Sequence, residues 1–276
     1  MGKLNKKNII LDKRSIYLRK LILEGLKGGK RGHIGSSMSI VEILRVLYDH
    51  IMKFNPKKPN LNKRDRLILS KGHGCLALYS ILADKGYFSK DTLKTFCKSN
   101  SILGGHPDKH IRGVETSTGS LGHGFSIAIG MAIALKIKKI KSNVYVIIGD
   151  GELNEGSMWE GLMSAYKNNL DNLIVILDYN NLQTYGSPAK VAGLDKIKLK
   201  IKSFGFNTSE VNGHSIKELK KVLKSKNKTK PKFIICHTVK GKGISFAENN
   251  PDWHHKANLE DKVLKQISNE LNTYLK

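Results

Sequence analysis

The sequence predicts an α/β fold: a mainly parallel sheet with helices on both faces. Three observations lead there. Short runs rich in β-branched residues, such as "NVYVIIG" and "NLIVILDY", are apolar at nearly every position, as strands covered on both faces must be. Segments with apolar residues at helical spacing separate them. No Pro/Ser-rich linker and no repeat of solenoid period interrupts the alternation, so residues 1–276 read as a single domain.

Residues 15–26 set Ile16, Leu18, Leu21, Ile22 and Leu26 at helical spacing, and "GGKRGHIGSSMS" then breaks the pattern with glycines around His33. Helical periodicity resumes over 39–50. "RLILSKGHG" reads as a short buried strand running into a turn with His73, and 75–85 is again helical. A small-residue helix over 126–136 follows "STGSLGHG". Strand "NVYVIIGDG", helix 155–168, strand "NLIVILDYNN", helix 216–224 and strand "KFIICHTV" complete the alternation. "KIKLKIK" at 196–202 is an amphipathic segment with its lysines on a solvated face. In such a fold, functional groups gather at the carboxyl ends of the strands.

The bulk composition narrows the function. The chain has 276 residues, 39% of them hydrophobic, and a formal net charge of +25, which favours anionic partners such as phosphorylated metabolites. No stretch interleaves aromatic with basic residues, so nucleic acid is not expected as a partner. Cys75, Cys97 and Cys236 lie far apart with no CxxC pair; neither a disulfide framework nor a cysteine-rich zinc site is indicated, and a cytoplasmic location fits. No segment reaches the roughly 18 to 20 apolar residues of a membrane span. The opening "MGKLNKKNIILDKRS" has no secretory h-region, is basic enough to leave an organelle transit signal open, and carries Lys6 where myristoylation needs Ser or Thr.

Against this basic background "GDGELNEGSMWEG" stands out as an acidic, glycine-rich turn without lysine. Asp150 follows a strand directly and is flanked by Gly149 and Gly151, which allow a tight turn and close approach to a ligand. Asn180 ends the next strand thirty residues on, about one βαβ unit, so the two side chains can meet in neighbouring loops. A carboxylate, an amide oxygen and a backbone carbonyl make an oxygen-rich, lightly charged site suited to Mg²⁺ or Ca²⁺ when the ligand supplies the negative charge, as a diphosphate does. Gly-Asp-Gly alone is also an ordinary turn; the matching "DYNN" is what favours the site.

Histidine follows glycine at 33, 73, 106, 123 and 214, next to elements expected to converge on the sheet edge. A zinc hydrolase is disfavoured: His106 and His110 are separated by Pro107, the adjacent His254 and His255 are expected to diverge, and HExxH is missing. No GxSxG elbow marks a serine nucleophile. Lys240 and Lys256 could meet phosphate or a partner chain, but read first as solvated lysines.

The segment from Gly-Asp-Gly to the Asn pair resembles the thiamine diphosphate signature. The resemblance is closer to transketolases, and specifically to the amino-terminal half where the enzyme is split into two chains: "GHIGSSMS", "LSKGHG", "GGHPD", "STGSLGHG", "GDGELNEGSMWEG", "LDYNNLQ", "KGKG" and "WHHK" occur in family order. It implies that Asp150, the Asn180 side chain and the Leu182 carbonyl bind Mg²⁺ (Ca²⁺ or Mn²⁺ being possible), and that Gly151 contacts the diphosphate. Gly119, Ser120 and Leu121 would line the cofactor, with His73 beside the diphosphate. It further implies that His33, His106 and His254 reach the substrate and reacting centre, with His254 also near the cofactor. Glu155, also among the cofactor-binding residues, and Glu160 would meet the subunit contact.

The resemblance also implies what lies elsewhere. The glutamate that activates the cofactor belongs to a pyrimidine domain, and neither it nor a carboxyl-terminal domain is expected before Lys276. Both are expected on a separate chain, in a dimer of heterodimers acting on sugar phosphates in the pentose phosphate pathway. Deoxyxylulose phosphate synthases and thiamine-dependent decarboxylating dehydrogenases share the Gly-Asp-Gly to Asn arrangement, and a non-catalytic cofactor-binding interaction module is a further reading. "GGHPD" and "WHHK" fit transketolase better.

Overall fold

The computed structural model describes residues 10–182, 191, 193–225 and 229–274. The first nine residues, where the targeting signals were sought, and Gln183 of "LDYNNLQ" lie outside them. The five strands are β1 (Arg66–Leu69), β2 (Val144–Gly149), β3 (Leu173–Tyr179), β4 (Asn207–Asn212) and β5 (Lys232–His237). They form one sheet, all pairs parallel, in the order β1-β2-β3-β5-β4. Gly149, Asp178 and Cys236 stand level across β2, β3 and β5, so the loops that follow these strands open side by side.

Residue alternation along the strands divides the core into two layers. Leu67, Leu69, Ile147, Ile176 and Ile234 pack with helices α1 (Lys13–Gly29), α2 (Ile34–Met38), α3 (Val41–Val46) and α4 (Cys75–Asp84). Ile68, Val146, Val175, Leu177 and Phe233 pack with α5 (His123–Ile137), α6 (Gly156–Lys167) and α7 (Ile197–Ser203). The first layer also takes α8 (Ile216–Lys224) and α9 (Asp261–Thr273). Both faces of the sheet are covered, which is why its strands are apolar throughout.

Sequence patterning missed two elements and merged others. β4, "NTSEVN", is an edge strand whose polar residues gave no apolar run, and α9 was not expected. The single helix expected over 39–50 is instead α3 followed by a π turn at Leu47–Ile51, and α2 lies in the stretch read as a glycine-rich break. Helix α2 is buried on every side, so its "GSSM" composition carries no amphipathic stripe.

One buried ionic cluster ties the first layer to the segment after β5. Arg19 on α1 and Glu42 on α3 are about 99–100% buried and pair at 2.6 Å. Arg19 Nε donates to the Lys242 carbonyl at 2.8 Å. The backbone N–H of Val239 donates to His214 Nε2 at 2.9 Å, which leaves the proton on Nδ1 to donate to Glu42 at 2.7 Å. His214, one of the five glycine-histidine pairs, is therefore a structural strut. Burial alone pushes the Glu42 carboxyl upward, but the Arg19 charge and the His214 hydrogen bond outweigh it and hold Glu42 well below the usual range.

A depressed folded-state pKa makes this contribution complete above the ordinary glutamate value of about 4.3 and progressively lost as pH falls below it. Glu42→Gln is expected to cost about 3–5 kcal/mol in urea unfolding at pH 7, because it leaves Arg19 buried without its counter-charge. The gap between variant and wild type should narrow below pH ~4; a gap that is small, or constant with pH, contradicts the assignment.

Candidate functional site

A cavity of about 360 Å³ opens at the carboxyl ends of β1, β2, β3 and β5. Asp150 enters it from the end of β2 and is 5% exposed. Its Oδ1 accepts from the Gly151 amide at 2.9 Å and its Oδ2 from the Asn181 amide at 2.6 Å. Among the described residues no cationic side chain pairs with it. Burial, and then the charge of Asp178, raise its pKa to about 6. Asn180 lies one loop away on the same rim; its Oδ1 accepts from the Leu182 amide at 3.1 Å, and Leu182 lines the cavity too. A buried carboxylate without a counter-charge, beside an amide oxygen and a carbonyl, is a donor set that a hard divalent cation would complete.

Four histidine rings surround His33. Those of His73, His106, His254 and His255 have centroids 5.6, 5.8, 5.6 and 4.5 Å from it. His254 and His255 were expected to diverge, yet both stand beside His33. The cause is an antiparallel backbone bridge between Gly32 and Lys256, which lays the 253–256 segment along the His33 loop. Burial first, and then the neighbouring positive groups, lower His33 to about 3 and His254 to about 4; His73 falls well below its ordinary value, and burial lowers His106. These rings are neutral at pH 7 and act as hydrogen-bonding groups.

The loop at 118–122 closes the cavity over β1 and β2. Gly119 and Leu121 line it, with the His106 ring about 3.5 Å from where a Gly119 Cβ would stand, while Ser120 is exposed in the same loop. Glu152 fixes this loop from beneath. It is buried, accepts from the Gly122 amide at 2.8 Å and the Gly149 amide at 3.2 Å, and is hydrogen-bonded by Ser70 Oγ at the end of β1. Gly122 has φ 84°, and a Cβ there would stand 2.4 Å from Ser157 Oγ, so only glycine suits the turn. Gly151 lines the cavity; Glu155 and Glu160 do not, and both are exposed at and beyond the start of α6.

Two lysines that sequence reasoning did not place are central here. Lys71 pairs with Asp178, both essentially buried, and donates to the Ser36 carbonyl at 3.2 Å. Asp178 also accepts from Ser39 Oγ at 2.7 Å, from Thr238 Oγ1 and from Asn180 Nδ2 at 3.2 Å. Burial works to raise its pKa, and the Lys71 charge and hydrogen bond more than reverse that. The second is Lys240, read from the sequence as solvated. It is 98% buried, donates to the Leu182 carbonyl at 2.8 Å and meets His254 Nδ1 at 2.7 Å. Gly35 makes room for it, since a Cβ there would stand 2.9 Å from Lys240 Cγ. Lys256 is partly exposed over the Trp253 ring, 4.8 Å from its centroid. A charged residue inside an otherwise apolar buried strand, as Asp178 is in "LIVILDY", was the available signal for the buried pair.

The comparisons with known proteins fit this geometry. Residues 11–273 match the family described as "Transketolase, thiamine diphosphate binding domain". The chain belongs to the transketolase family. It is the thiamine diphosphate-binding domain of a transketolase-type transferase. The chain is similar to one subunit of the apulose-4-phosphate transketolase of Actinobacillus succinogenes, with 41% identity over 94% of this chain and 96% of that one. It is also similar to "6-deoxy-6-sulfo-D-fructose transketolase subunit SqwG" of Clostridium sp., with 39% identity over 94% and 95%. Among solved structures, the transketolase of Campylobacter jejuni superposes with a TM-score of 0.88 at 35% identity, over 96% of this chain and 43% of that one. Relatives that are themselves named as transketolase subunits imply that a partner chain exists. No helix among the described residues is long and apolar enough to cross a membrane.

An ammonium can only donate, so the Lys240 contact makes His254 Nδ1 an acceptor and leaves its proton on Nε2. Lys240→Met should raise the His254 titration midpoint above about 4, since it removes the positive charge that, after burial, does most to keep the ring neutral. Ring ¹⁵N NMR of His254 checks this, and an unchanged midpoint contradicts it.

Proposed function

We propose that the chain is the amino-terminal subunit of a two-chain transketolase, moving a two-carbon ketol unit from a ketose phosphate to an aldose phosphate. The observation that carries the reading is the juxtaposition of the Asp150–Asn180–Leu182 rim with the neutral histidine cluster in one cavity. When bound, thiamine diphosphate supplies the carbon nucleophile and electron sink of the transfer.

Asp150, Asn180 Oδ1 and the Leu182 carbonyl would hold Mg²⁺, which in turn orients the diphosphate. The backbone of Gly151 and the His73 ring would contact the phosphates, with Lys71 and Lys240 supplying positive potential from below. Gly119, Ser120 and Leu121 would flank the cofactor, in a loop held by Glu152. His33, His106 and His254 would hydrogen-bond the sugar hydroxyls. A neutral imidazole can donate or accept there without desolvating a charge.

The partner is the chain that carries the pyrimidine domain, and the assembly is a dimer of heterodimers. Helix α5 supports a docking role. It is apolar on nearly all sides, yet Ile127, Gly130, Ala134 and Ile137 lie on its exposed side, and Met163 of α6 is 56% exposed. Glu155 and Glu160 lie at the start of and on α6, and would take up hydrogen-bonded partners across that contact.

In the assembled enzyme, Asp150→Ala and Asn180→Ala should abolish metal-dependent thiamine diphosphate binding by calorimetry without lowering the urea midpoint. Retained metal-dependent affinity refutes the ion site. His33→Ala and His106→Ala should keep cofactor affinity and lower ketose turnover on the order of 10²-fold or more. Weakened cofactor with full turnover at saturation would mean that these histidines do not face the sugar.

A further inference from the structure

We infer that the chain carries a second anion site, at the opposite end of the sheet from the cofactor cavity, which takes a small organic phosphate. A cavity of about 620 Å³ lies beside the amino ends of β2, β3 and β5, bordered by Asn143, Asn172 and Lys232. This is the size of a pocket for a nucleotide-sized ligand. It stands independently of the ketol-transfer reading.

The charge around it is one-sided. Lys136, Lys139, Lys141, Lys224 and Lys232 line the cavity, and its one carboxylate, Asp171, already accepts from Lys136 at 2.9 Å. Among the described residues no carboxylate pairs with Lys139, Lys141, Lys224 or Lys232. Lys232 is 97% buried, and among the described residues its Nζ donates only to neutral oxygens: the Val222 carbonyl at 3.1 Å, the Ser225 carbonyl at 2.6 Å and Ser225 Oγ at 3.0 Å. Its hydrogen bonds are met and its charge is not. Burial lowers its pKa accordingly. A buried ammonium without a counter-ion is costly, and an anion in the cavity would supply one.

Two polar atoms in the same wall have no partner. Ser142 Oγ and Asn172 Oδ1 are both buried and, among the described residues, make no hydrogen bond. The Asn172 amide is oriented by its Nδ2, which donates to the Ala132 carbonyl at 3.0 Å, so Oδ1 is an unmet acceptor. Orphaned buried polar atoms are rare, and a ligand hydroxyl or amine would meet these two on a small opening of the cavity wall. Leu135, Ile140 and Leu223 add an apolar wall. Lysines for phosphate, an acceptor for a hydroxyl or amine and an apolar surface for a carbon skeleton together describe an organic phosphate, either a nucleotide or a sugar bisphosphate. The limited size of the cavity, about 620 Å³, disfavours a nucleic-acid strand, which needs an extended groove.

The full chain is titrated calorimetrically with ATP and, separately, with fructose 1,6-bisphosphate, at physiological salt. At least one should bind saturably, the tighter identifying the class. Lys139→Gln/Lys141→Gln/Lys224→Gln should weaken that binding by about tenfold or more. Lys20→Gln/Lys217→Gln/Lys262→Gln, which removes the same charge outside the cavity, should leave affinity within about twofold, as should His73→Gln in the cofactor cavity. Unfolding midpoints of the two triple variants check that exposed substitutions leave the fold intact. Equal weakening in both triples would make the interaction a general counter-ion effect and overturn the site. Loss confined to His73→Gln would move the ligand to the cofactor cavity, and the lack of saturable binding by either probe would likewise refute the inference.

Discussion

The site depends on Asp178, a carboxylate buried at the end of the central strand. Through Lys71 it joins β1, through Thr238 the segment after β5, through Ser39 the turn after α2, and through Asn180 the rim of the cavity. A charge placed there is tolerated only because every neighbour answers it. Those answers fix the carboxyl ends of three strands and the turn between α2 and α3 relative to one another. The rim residues Asp150 and Asn180 thus meet on a rigid frame rather than on free loops.

Around that frame the electrostatics are arranged to hold charge that comes with a ligand. Lys71 and Lys240 line the cavity, Asp150 lacks a cationic partner among the described residues, and the histidines are kept neutral by burial and by the positive charges around them. The positive groups favour a diphosphate while the lone carboxylate favours its cation. Glu152 complements this from the protein side, holding the 118–122 loop through the Gly122 amide. Arg19, Glu42 and His214 do the same for the segment that carries Lys240.

Much of this was legible in the sequence. The buried strands announced themselves as apolar runs, and the Gly-Asp-Gly turn with its downstream Asn pair located the rim, because both signals are local. β4 was not legible, since an edge strand need not be apolar, nor was α2, whose burial on all sides removes the helical stripe. The glycine-histidine pairs misled in part: His33, His73 and His106 enter the cavity, whereas His214 braces Glu42 and His123 is exposed. Lys240 was misread because a lysine in a basic chain looks solvated, and only the tertiary packing of Gly35 and the 253–256 segment against it shows otherwise.

The central proposal is a cofactor half-site that a second chain would complete. Its most direct test is a ketol-transfer assay, with thiamine diphosphate and Mg²⁺ present, on the purified chain, on its candidate pyrimidine-domain partner and on the two mixed, with mass measured in parallel. Silence from each alone, and activity from a mixture that runs as a heterotetramer, is the expected result; robust turnover by the isolated chain would contradict it.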